Sequence, residues 1–162
     1  MRLTTRSLVP AVVCFGLFAV VGAAVLAQND PQVGVWKLNV AKSKYSPGPK
    51  PTIATTTIEA AGAGAKLTVD QTMEDGTKRH YSFTANYDGK DVPIVGENPD
   101  ADTVARTRIN ASTVQTISKK AGKVTTTQTS AVSKDGKTRT VTTKGVNAKG
   151  QQVSNVAVYE RQ

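Results

Sequence analysis

Few residues in this chain could carry bond-making chemistry. His80 is the sole histidine and Cys14 the sole cysteine. On an extended strand His80 shares a face with Ser82, Thr84 and Asn86, opposite Tyr81, Phe83 and Tyr87, so it reads as a solvated imidazole rather than a haem ligand. A zinc site needs several nitrogen or sulfur donors, and one histidine does not supply them. Glu97, Asp100 and Asp102 offer oxygen ligands of the kind calcium takes, although acidic loop residues also serve simply as solvated turn formers. Asp70 stands alone, while Glu74 with Asp75 and Asp88 with Asp91 cluster at turn signals. The chain has no Gly-x-Ser-x-Gly, no serine–histidine–aspartate set and no phosphate-binding loop. A non-catalytic protein without metal or cofactor is expected.

Positive charge is the other chemical resource. Residues 28–100 hold eight basic and nine acidic groups, whereas residues 101–162 hold eleven basic and three acidic. Lys119, Lys120 and Lys123 form the densest cluster, around the turn signal Ala121-Gly122. One partner for such a half is an anionic envelope polymer or lipid headgroups; the other account is solubility alone. Nucleic-acid binding would interleave aromatic rings with the charge. The second half has none before Tyr159, so nucleic acid is not expected.

These residues must be positioned by strands. Arg2 and Arg6 precede an apolar run from Leu8 to Ala27, and Val25-Leu26-Ala27 then gives way to Gln28-Asn29-Asp30. That order is a secretory signal peptide over 1–27, cleaved after Ala27, which places the protein in the periplasm or outside the cell. The run is also near the ~20 residues that span a bilayer, so a retained anchor is the rival reading. Cys14 lies within the apolar run behind Val13, which argues against lipidation. What remains, residues 28–162, is one domain by length, carries a net +7 once Arg2 and Arg6 leave, and contains no cysteine. Burial and backbone pairing must stabilise it without disulfides.

Beyond Ala27, apolar and polar residues alternate with a period of two, as in Trp36-Lys37-Leu38-Asn39-Val40 and in Tyr81, Phe83, Ala85 and Tyr87. Threonine is the commonest residue, with 22 copies, and its β-branched side chain suits a pleated surface. Glycine turn signals at Gly62–Gly64, Asp75-Gly76, Asp88-Gly89, Ala121-Gly122, Asp135-Gly136 and Lys149-Gly150 punctuate the runs. They divide the domain into about eight or nine antiparallel strands near 34–41, 53–60, 66–73, 78–87, 103–109, 113–119, 124–132, 137–144 and 153–161. Longer connections fall at Ser43–Pro51 and Asp91–Asp102. Asp75–Arg79 and Asp135–Arg139 echo each other, through duplication or through shared turn chemistry.

Many short strands mean a sandwich or an up-and-down barrel, and hairpins between neighbours favour the barrel. The scarcity of aromatics and the lysines on outward positions favour a soluble barrel over a lipid-facing one. Gly34-Val35-Trp36 at the start of the first strand resembles the opening motif of lipocalins and related calycins, and Gly34–Pro49 also resembles the opening of small exported bacterial proteins. The resemblance implies an all-β, antiparallel, lipocalin-like barrel closed at one end by Trp36. It also implies a basic residue of the last strand, here Arg161, packed across the indole. Such a barrel would act as a monomer enclosing a small, partly apolar ligand against Leu38, Val69, Met73, Tyr81, Phe83 and Tyr87.

Overall fold

A computed structural model describes residues 30–162; the signal peptide expected at 1–27, with Cys14, lies outside the described residues. Eleven strands follow in order: β1 Gly34–Lys44, β2 Pro51–Ala61, β3 Gly64–Met73, β4 Lys78–Asn86, β5 Asp88–Pro93, β6 Val95–Gly96, β7 Thr103–Asn110, β8 Thr113–Lys120, β9 Lys123–Val132, β10 Thr138–Val146 and β11 Gln152–Arg161. They form one antiparallel sheet in the order β5-β7-β8-β9-β10-β11-β1-β2-β3-β4-β6. The result is a nearly closed barrel. Chain neighbours pair from β1 to β4 and from β7 to β11, and β1 is sealed to β11 with Trp36 opposite Arg161.

The count is eleven rather than eight or nine, and the difference lies in the stretch from Asp88 to Asp102. The chain reverses near Asp88-Gly89, but the returning strand β5 pairs with β7 instead of forming a regular hairpin with β4. Gly89 takes φ +75°, and the register between Asp88 and Asp91 slips against β7, as at a bulge. The chain therefore runs from β4, paired with β3, through Tyr87 into β5, paired with β7. The returning segment, β5 followed by β6, thus pairs with both margins of the sheet and draws them together. Two-residue β6 then returns to pair with Tyr81 and Ser82 of β4.

Alternation decides what lies inside. Trp36 and Leu38 of β1, Ala54 and Ile58 of β2, Leu67 of β3 and Phe83 and Ala85 of β4 are buried together with Val104, Val132, Val141, Ala157 and Tyr159. Outward positions such as Lys37, Lys66 and Lys78 are exposed. The Asp75 and Asp135 turns share local chemistry. Each carboxylate accepts the N–H two residues ahead, from Thr77 at 2.9 Å and from Lys137 at 3.0 Å, and each following glycine has positive φ. They sit at opposite ends of the barrel, since β3 and β9 run in opposite senses.

Candidate functional site

One end of the barrel is plugged. The short segment before β1 crosses it, and Gln32 is fully buried there. Its side-chain amide donates to the carbonyls of Ser112 at 2.8 Å and Ser130 at 3.1 Å. Its amide oxygen accepts the Ser130 hydroxyl at 2.9 Å, and its backbone carbonyl accepts the Trp36 indole N–H at 2.8 Å. Arg161 covers this plug. Its guanidinium lies 4.2 Å from the Trp36 ring centroid and donates to the carbonyls of Val33, Pro31 and Gly136 at 2.6, 2.7 and 2.6 Å. Gly34 sits beneath that guanidinium, where any Cβ would overlap Nη1. The Gly-x-Trp spacing is thus geometric: glycine leaves room for the cation that lies on the tryptophan.

Asp30 holds the margin of the same end. Its carboxylate accepts from the Tyr87 hydroxyl and from Arg108 Nη2, both at 2.5 Å, and from the Gln32 N–H at 2.9 Å. Burial works to raise its pKa, but the hydrogen bonds from Tyr87, Arg108 and Gln32 outweigh it and hold the carboxyl below its ordinary value.

Above the plug lies a cavity of about 340 Å³. One wall is apolar, with Leu67, Val69 and Met73 from β3 and Phe83 from β4, beside half-buried Tyr81. The opposite wall carries Thr116, Ser118, Thr126, Gln128 and Ser130 from β8 and β9. Its mouth is framed by Tyr45–Pro51, Asn98–Ala101 and Asn147–Gln151, on the loops β1–β2, β6–β7 and β10–β11. Asp100 bridges that rim, accepting the Ala148 N–H at 2.8 Å and lying 3.8 Å from Arg79. Asp100→Ala should cost under about 1 kcal/mol, because the ion pair is partly exposed. Amide exchange at Ala148 should nevertheless accelerate; an unchanged rate would show that Asp100 does not restrain the rim.

Two arginines enter the cavity. Arg106 is 1% exposed and Arg139 is 6% exposed. Arg139 Nε donates to Ser130 Oγ at 2.8 Å, and its guanidinium carbon is 5.4 Å from the Tyr159 ring centroid. Arg106 lies 5.1 Å from the Tyr87 centroid. Nε and Nη1 of Arg106, Nη1 of Arg139 and the Tyr45 hydroxyl are buried without a hydrogen-bond partner among the described residues. Burial lowers the pKa of Arg106 and pushes Arg139 down to about 10, with the charge of Arg106 adding to the shift at Arg139.

Of the six residues expected to face a ligand, Val69, Met73, Tyr81 and Phe83 line the cavity. Leu38 belongs to the packed core, and Tyr87 is engaged by Asp30 and by Arg108, whose guanidinium carbon lies 3.9 Å from its ring centroid. The sequence alone does not place Arg106, Arg139, Tyr45 or Tyr159 at the cavity, and Arg139, by composition one of the basic residues open to an anionic surface, is buried. The signal for the arginines is their phase: Arg106 follows Val104 at a spacing of two, and Arg139 precedes Val141 at the same spacing. A cation in step with the apolar face points inward.

The lysines do not converge. Lys120 and Lys123 sit at the β8–β9 turn beside the mouth, while Lys119 pairs with Asp91 at 2.7 Å. Lys134 and Lys137 lie at the β9–β10 turn, roughly 30 Å away along β9 at strand rise. His80 is exposed on the outer wall and within 2.7 Å of Asp70. Asp102 caps the β8–β9 turn through the Ala121 N–H at 2.8 Å. Among the described residues no three histidine, cysteine or acidic side chains gather as metal ligands. No protein-family model and no curated protein matches the chain.

Proposed function

We propose that this protein is an exported, non-catalytic, lipocalin-like barrel that encloses one small, partly apolar molecule. The observation that carries the reading is the cavity itself. It is plugged at one end by Gln32, Trp36 and Arg161, rimmed by loops at the other, and about 340 Å³ in volume. That size falls within the ~300–1,000 Å³ of small-molecule sites, and the mix of an apolar wall with a few convergent polar groups is their usual lining. Enclosure works by removing apolar surface from water, at about 25 cal/mol per Å² before the costs of association.

The test is a thermal-shift screen of the mature protein against retinoids, fatty acids and haem, with native mass spectrometry of protein purified from its host. A ligand present at 100 times its Kd stabilises by about 2.7 kcal/mol, a rise in Tm of several degrees for a domain of this size. Uniform absence of stabilisation, with no retained mass in the native spectrum, would overturn the reading.

A further inference from the structure

The two interior guanidinium groups bring charge into the cavity, and among the described residues neither forms an ion pair with an acidic side chain, Asp30 acting on Arg106 only at longer range. Asp30, the acidic group at that end, is already engaged by Arg108, Tyr87 and the Gln32 N–H. The carboxylates that border the cavity, Asp75 and Asp100, belong to the mouth, where Asp100 faces Arg79. Arg106 and Arg139 therefore remain buried, close enough to repel one another, with three nitrogens between them that donate to nothing described. A buried cation is costly unless it is paired and hydrogen-bonded. Neither side chain is loosely held, for Ser130 anchors Arg139 and aromatic rings lie beside both. Fixed, unpartnered donors on two buried cations are what an incoming oxyanion meets without reorganisation. The apolar wall of Leu67, Val69, Met73 and Phe83 lies across the same cavity.

Taking the cavity as a binding site, as above, we infer that its ligand is an amphipathic organic anion. Its oxyanion head sits between Arg106 and Arg139, and its apolar tail lies along the β3–β4 wall. Charge-assisted bonds to the head neutralise the two cations, so the ligand supplies a counter-ion that the chain itself does not.

Head-group series of constant tail length test this by calorimetry: decanoate, decyl sulfate, decanol and decyltrimethylammonium, each below its aggregation threshold. The anions should bind at least tenfold tighter than decanol, and the ammonium compound should not bind measurably. Decanoate against decyl sulfate separates a carboxylate ligand from a sulfate or phosphate ester, either of which fits the inference. Arg106→Met and Arg139→Met should each bring decanoate down towards decanol while leaving decanol unchanged. Their ligand-free Tm should equal or exceed that of the wild type, because a neutral side chain replaces an uncompensated cation. Equal binding of decanol and decanoate to the wild type would overturn the anion inference and leave enclosure standing. No binding by any of the four, together with a blank retinoid and haem screen, would remove both. The wild-type series alone can refute the inference, even if a variant fails to fold.

Discussion

Trp36→Ala is expected to lower the free energy of unfolding by about 3–5 kcal/mol, the usual loss for a large buried aromatic. Trp36 is fully buried at the plugged end, so truncation opens a void that the surrounding strands cannot collapse to fill. It also removes the indole N–H from the Gln32 carbonyl and the ring from beneath Arg161. Arg161→Ala should cost about 2–4 kcal/mol. A stacked cation alone contributes near 0.5–2 kcal/mol, but Arg161 also makes three charge-assisted bonds to backbone carbonyls, each stronger than a neutral one. Because both residues hold the same plug, the double variant should lose less than the sum. Urea midpoints at constant m-value measure this. An unchanged midpoint for Trp36→Ala would mean that the plug contributes nothing to stability.

Asp30→Asn should destabilise the protein by about 2–4 kcal/mol at pH 7, below the full cost of breaking a buried ion pair because Arg108 is partly exposed. The Asp30 side chain is only 6% exposed. Its charge offsets Arg108 directly and Arg106 at longer range. Its removal leaves Arg108 and Tyr87 without the carboxylate that they share. The pH dependence follows from the lowered pKa of Asp30. A carboxyl whose folded pKa is depressed contributes stability that is fully present above its ordinary value, 3.8, and is lost as pH falls through the lower folded value. The gap between wild type and Asp30→Asn should therefore be widest near neutrality and close below about pH 4. Guanidinium chloride midpoints at pH 7 and pH 3 check it, and a gap that stays constant would refute the assignment.

The strand runs near 34–41, 53–60, 66–73, 103–109, 113–119, 124–132 and 153–161 lie within observed strands, and those near 78–87 and 137–144 overrun theirs by one residue. They were legible because alternation and β-branching act locally and because tight turns are written in adjacent residues, Asp-Gly above all. Asp88-Gly89 shows the limit of that code. The dipeptide marks where the chain turns back, but not that the returning segment pairs with β7 across the barrel before it meets β4. Val92 and Ile94 pack against the core from within the Asp91–Asp102 segment that reads as a connection.

The division for the site follows the same physics. Residue types along the sequence were enough to establish an all-β domain with no cysteine beyond Cys14, with one exposed imidazole and with inward-facing Val69, Met73, Tyr81 and Phe83, since each depends on composition or on parity along one strand. Whether a parity position faces packed core or open space depends on the opposite wall, so Leu38 and Val69 look alike in sequence and differ in the barrel. Charge is subject to the same limit. Arg106 and Arg139 belong by composition to a basic half and become interior cations only when β7 and β10 curve round one axis. Their missing counter-ions are a property of that enclosure, because only closure of the sheet removes the water that would otherwise solvate them.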